Sequence, residues 1–167
     1  NASPPVENGQ FLKPMLVEVT SIDSTIKLDI RYASTNNFAS TPFYSQARAF
    51  LQRPAAEGVV RANRKLKSLG YGLVIHDAYR PWYVTKMFWE ATPGPLRTFV
   101  ADPARGSRHN RGCAVDLTLY ELATGRRPFT GASSMEISSS ILRDAPLPVL
   151  TLRGDLPRDL DRIIGRC

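Results

Sequence analysis

Histidine is nearly absent from this chain. The 167 residues hold two, His76 and His109, and none follows Phe129. Any site that needs imidazole is confined to those two positions. Cysteine is as sparse: Cys113 and Cys167 lie far apart, which excludes a disulfide framework and leaves the redox compartment open. No apolar run is long enough to span a bilayer as a helix. Acidic residues, 15 in all, are outnumbered by 22 lysines and arginines, for a formal net charge of +7. The excess is dispersed over Arg61, Arg64, Lys65 and Lys67, then over Arg105, Arg108, Arg111, Arg126 and Arg127. Such a surface attracts anions. No nucleic-acid-reading motif accompanies it, so a solvated basic face is expected and nucleic acid is not among the expected partners. The chain opens at Asn1 with neither a charged n-region nor an apolar h-region, which predicts a removed leader or a fragment. Cytoplasmic and exported locations both stay open.

What is present suits one globular domain with a real core. Residues 1–14 read as an irregular arm, and Leu16–Val19 as a short strand. Ile26, Leu28, Ile30 and Tyr32 alternate with Lys27, Asp29 and Arg31, the period of a half-buried strand. A turn-rich loop, 36–44, follows. Pro54 is placed to start a helix whose inward stripe is Ala55, Val59, Ala62, Leu66 and Leu69, and Gly70 stops it. Leu73–Ala78 reads as a buried strand, and Pro81 opens a second helix whose largely aromatic stripe, Trp82, Tyr83, Val84, Met87, Phe88 and Trp89, is expected in the core. Strand alternation points His76 away from Asp77, as a core histidine. Arg80 sits rigidly between that strand and helix, where an ion pair with Asp77 would suffice to explain it.

The most informative stretch runs from Ser107 to Leu119. His109 lies in a loop that Gly112 keeps from becoming helix, and Asp116 follows seven residues later on a strand with Val115, Leu117 and Leu119. A carboxylate among aliphatic residues needs a partner. Imidazole and carboxylate are both ordinary zinc ligands. The spacing alone also allows a hydrogen-bonded His–Asp pair that staples loop to strand. Cys113 is expected to be a buried small residue.

The longer string Ser107-x-His109-x-x-Gly112-x-Ala114-x-Asp116 resembles the S-x-H-x-x-G-x-A-x-D motif of the D-alanyl-D-alanine dipeptidases, the VanX-type zinc peptidases. Asp77-x-Tyr79-Arg80-Pro81 and the stretch Asp29–Phe38 resemble the same family. The resemblance implies an α+β fold, a small zinc D,D-peptidase-like core with an antiparallel sheet and helices packed on one side. It implies one Zn2+ per chain, with His109 and Asp116 as two of three ligands. It makes Arg80 the stabiliser of the transition state, Ser107 and Asp77 contacts for the substrate or, for Asp77, the group that orients Arg80. The substrate is a small D-amino-acid dipeptide, cut into two D-alanines. The implied alternatives are a peptidoglycan D,D-peptidase of the same fold and an inactive remnant that binds cell-wall peptide.

The resemblance is continuous from about Asp29 to Pro128, within one expected domain spanning 15–128, and then stops. The family's third ligand is a histidine near the C-terminus, in a motif whose glutamate is the general base, and residues 129–167 contain neither motif nor histidine. Third ligand and base are therefore not found. Glu136, Asp144, Asp155, Asp159, Asp161 and Cys167 are the side chains able to replace them. The change of character predicts a frameshifted or truncated reading of a longer gene, with activity in doubt. The oligomeric state is not legible.

Overall fold

The structure is a computed structural model that describes residues 3–6, 8–68, 70–118, 149–152 and 154. Two small sheets and three helices position the site. Strand β1 (Leu16–Glu18) pairs antiparallel with β3 (Phe50–Gln52), Val17 opposite Leu51. Between them lie the short helix α1 (Val19–Ile22) and strand β2 (Lys27–Leu28). Helix α2 (Arg53–Lys67) leads to β4 (Val74–Asp77), which is followed by α3 (Trp82–Ala91) and β5 (Asp116–Thr118). A single further turn of helix, α4, spans Val149–Leu152. Among the described residues no helix is long and apolar enough to cross a membrane.

The second sheet has the order β2–β4–β5. It is mixed, not antiparallel throughout: β4 runs antiparallel to β5 but parallel to β2. Parallel neighbours need a crossover, and here β3 and α2 supply it. The period-two stretch forms only two residues of ladder before the chain curls into a 3₁₀ turn at Arg31–Ala33. Even so, Ile26 and Ile30 reach the core beside Val19, Leu51, Val60 and Ile75.

Helix α2 begins with Pro54 in its first turn and ends before Gly70, whose φ of +82° suits a left-handed cap. Its inward face is turned by about one residue from the expected stripe, a step of roughly 100°. Ala56, Val60, Asn63 and Leu66 are buried, Ala55 and Val59 are partly so, and Ala62 is exposed. Leu69 lies outside the described residues. The reason is Asn63, a polar residue at the centre of the packed face. Its amide donates to Asp23 Oδ2 and Thr25 Oγ1, each at 3.1 Å, and its oxygen accepts the Leu73 N–H at 3.0 Å. Every polar atom is satisfied, so Asn63 ties α2 to both chain segments entering the second sheet.

The aromatic stripe of α3 also divides. Val84 and Phe88 are buried, whereas Tyr83 is 58% and Met87 38% exposed. Phe88 packs with Tyr32, Phe38 and Phe43 in a cluster of tilted and edge-on rings. Cys113, expected to be buried in a strand, is exposed and precedes β5. The glycine before it explains why the chain is not yet extended there. Gly112 has φ +67°, and a Cβ on it would lie 2.6 Å from Leu16 Cδ2. Its carbonyl accepts the Gln52 N–H at 2.8 Å, which fastens the motif loop to the β1–β3 ribbon.

Candidate active site

A bulge aligns the carboxylates. Ile75 faces Leu117, but the next pair is Asp77 with Asp116, so β4 spends one extra residue, His76, on the same length of ladder. Asp77 is thereby set opposite Asp116 at the end of β4. His109 arrives from a 3₁₀ turn, His109–Arg111. Its Nδ1 lies 2.7 Å from the Ala78 carbonyl oxygen and its Nε2 lies 3.5 Å from Asp116 Oδ1. A carbonyl only accepts, so the neutral ring carries its proton on Nδ1 and turns a bare Nε2 toward Asp116. That is the tautomer a metal ligand needs, fixed by a backbone acceptor behind it. Burial pulls the His109 pKa down, but Asp116 and the Ala78 carbonyl outweigh it and the net shift is upward. For Asp116, burial pushes up, while His109 and Arg80 outweigh it and hold the carboxyl below its usual value. Asp116 is thus an ionised group with a 55% exposed side chain.

Arg80 is fixed beside this pair. Its Nε and Nη2 donate to Asp77 Oδ2 at 2.9 and 2.6 Å, and Nη2 lies 4.0 Å from Asp116 Oδ2. The guanidinium carbon stands 4.6 Å from the centre of the Phe88 ring, a cation–π contact. Burial works against the Arg80 charge, but Asp77 outweighs it and the group stays a cation. Asp77, 1% exposed, also accepts the Tyr44 hydroxyl at 2.8 Å and the Ala78 N–H at 2.9 Å on Oδ1. Burial, and then Asp77 itself, push the Tyr44 hydroxyl far above the ordinary tyrosine range, so it remains a donor.

One ligand atom each from Asp77, His109 and Asp116 lie within 4.8 Å of one another, a group able to hold a metal ion. The hydrogen bonds separate their roles. A carboxylate offers about four lone-pair sites, and those of Asp77 already meet four donors. His109 Nε2 and Asp116 keep theirs. Two side chains therefore fit a divalent ion that accepts nitrogen and oxygen, and Asp77 has the contacts of a group that orients Arg80.

The structure brings Arg80, Asp77, His109 and Asp116 together. Ser107 belongs to the same loop, its N–H donating to Asn110 Oδ1 at 2.8 Å and its hydroxyl accepting the Asn110 N–H at 3.3 Å. His76 stays apart: Nε2 contacts Thr118 Oγ1 and Nδ1 lies 3.3 Å from the Asp29 carbonyl oxygen, in a half-exposed position and not in the core. Tyr44 and Asn110 were not singled out in the sequence. Tyr44 ends a turn-rich loop with no periodicity to mark it, and Asn110 stood unremarked inside the motif. Glu136, Asp144, Asp155, Asp159, Asp161 and Cys167, the side chains considered for the third ligand and the base, all lie outside the described residues.

Comparison with known proteins places the chain in a family. A family profile described as D-ala-D-ala dipeptidase matches residues 13–139. The chain is similar to the D-alanyl-D-alanine dipeptidase of Escherichia coli strain K12, 36% identical over 106 residues, or 64% of this chain and 54% of that one. It is 32% identical to the enzyme of the same name from Streptomyces coelicolor over 149 residues, covering 77% of this chain and 74% of the other. A third, from Enterococcus faecium, is 30% identical over 118 residues, covering 60% and 58%. The match thus spans about half the length of the first of these relatives and about three quarters of the second.

Proposed function

The chain belongs to the D-Ala-D-Ala dipeptidase family, and from that premise we propose that its site serves zinc-dependent hydrolysis of D-alanyl-D-alanine to two D-alanines. The observation that carries this is the convergence of His109 Nε2 and the ionised Asp116 with the buried Arg80 cation. His109 and Asp116 would hold the ion. When bound, zinc supplies a Lewis acid for the scissile carbonyl and a more acidic water.

The remaining chemistry falls to the chain's own groups. Arg80 presents a fixed cation where negative charge develops on the peptide oxygen, and the Phe88 ring and Asp77 keep it from turning toward water. Its contribution is larger in a site with little solvent than it would be on the surface. Asp77, itself held by Tyr44, orients Arg80. Ser107 retains a hydroxyl proton that can be donated to a charged end of the dipeptide.

Turnover also requires a third ligand and a general base, which the family takes from a histidine and a glutamate near its C-terminus. A missing general base alone lowers rates by about 10²–10⁴. A second possibility is a domain that binds cell-wall peptide without cutting it. A third is cleavage of D,D-peptide bonds in peptidoglycan itself. Zinc content measured together with D-alanine release separates them. Release from the free dipeptide supports the first. Heat of binding without release in excess zinc replaces it with the second, and release from cross-linked muropeptides alone replaces it with the third.

A further inference from the structure

We propose that Asn110 is a positioning residue that sets where the Arg80 guanidinium stands relative to His109 and Asp116; the proposal rests on the dipeptidase function proposed above. Asn110 lies in the motif loop but reaches out of it. Its side-chain amide donates to the Arg80 carbonyl oxygen at 2.9 Å and to Thr85 Oγ1 at 2.8 Å. Its side-chain oxygen accepts the Ser107 N–H at 2.8 Å. Thr85 is buried in the first turns of α3, and Arg80 closes the turn between β4 and that helix. One side chain therefore joins three segments: the motif loop, the β4–α3 turn and α3.

The chemistry of the amide explains why this residue type suits the place. Two donors and one acceptor are required on a short side chain. Aspartate has no donor, serine has one, and glutamine is a methylene too long. The consequence for Arg80 follows from its main chain. Its N–H donates to the His109 carbonyl oxygen at 3.0 Å, and its own carbonyl is taken by Asn110. Both polar groups of Arg80's backbone thus face residues 109 and 110, so the loop bearing the metal-binding imidazole and the root of the cationic side chain cannot shift independently. Asp77 fixes the guanidinium through Nε and Nη2, and Asn110 fixes the main chain from which the side chain springs.

The test compares two probes on the full chain loaded with zinc: the dipeptide, whose carbonyl is planar, and a phosphinate analogue that carries tetrahedral negative charge. A group that acts through Arg80 matters more for the second. In Asn110→Ala, phosphinate affinity should fall roughly tenfold, the scale of one or two lost hydrogen bonds, with dipeptide affinity and zinc content retained. Asn110→Ser, which keeps one donor, should fall between. Thr85→Val removes only the second acceptor and should lower Tm without moving the ratio of the two affinities. Equal loss for both probes, no loss for either, or the same ratio change in Thr85→Val would overturn the proposal. If the unsubstituted protein binds neither probe, the dipeptidase function fails separately. Hydrogen exchange at the Arg80 Nε–H then decides: faster exchange in Asn110→Ala upholds the positioning role, and unchanged exchange ends it.

Discussion

Arg80 and His109 are joined main chain to main chain, the Arg80 N–H donating to the His109 carbonyl oxygen at 3.0 Å. They come from segments almost thirty positions apart in the chain, yet they are placed by a single hydrogen-bonded unit. With Ala78 holding the His109 ring at 2.7 Å, the β4–α3 turn orders both the imidazole and the cation. Substitutions that displace the main chain of this turn, rather than truncate a side chain on it, should therefore affect metal binding and charge stabilisation together.

Removing either proposed ligand tests the metal. His109→Ala and Asp116→Ala should each abolish stoichiometric zinc retention on gel filtration, measured by elemental analysis. Unchanged zinc in both would leave the His–Asp pair as a staple between loop and strand and nothing more.

The Asp77–Arg80 pair should behave as a buried charge pair broken at a cost. Arg80 is 8% exposed and Asp77 1%, so truncating either strands the other and should destabilise by about 3–5 kcal/mol in denaturant melts. In protein that releases D-alanine, Arg80→Ala should also lower kcat by about 10²–10³ while zinc content holds. Equal turnover would remove the role assigned to that side chain.

Helix α2 offers a test of phase. Asn63→Ala strips three hydrogen bonds from a buried site, and each orphaned group costs about 1–3 kcal/mol. Ala62→Lys, one position away on an exposed face, should stay within about 0.5 kcal/mol of the parent. The reverse order of effects in urea melts would mean the inward stripe is Ala55, Val59 and Ala62 after all.

Acid stability should carry the signature of Asp23. Hydrogen bonds first from Thr25 and then from Asn63 hold its carboxyl below the ordinary value of 3.8, outweighing burial. A group whose folded pKa is depressed contributes stability above its unfolded pKa and loses it as pH falls through the folded value. Asp23→Asn should flatten the stability profile below pH 3.8, read from thermal melts across that range. An acid limb of the same slope in both proteins would show that Asp23 does not contribute.

The sequence made the chemistry of the site more legible than its support. His109, Asp116 and Arg80 sit in motifs whose spacing is local, so a strand, a loop and a helix start were enough to bring them near one another. The phase of α2 was not legible because an apolar count passes over Asn63, which is inward for its hydrogen bonds. The parallel pairing of β2 with β4 depends on a partner more than forty residues away, and no local pattern announces it. The same holds for the bulge at His76, which decides that Asp77 and not His76 faces Asp116. Tyr44 reaches Asp77 across 33 positions of chain, a relation that only the folded molecule supplies.

The anchoring of Gly112 has a consequence for the order of assembly. Its carbonyl and the neighbouring Arg111 carbonyl are both taken by Gln52, through N–H and side chain respectively, and Leu16 closes over its α-carbon. The imidazole-bearing loop is moulded against a two-strand ribbon whose nearer strand is encoded some sixty residues upstream, so an excised peptide carrying the whole motif should grip a cation no better than any flexible chain with one imidazole and one acid.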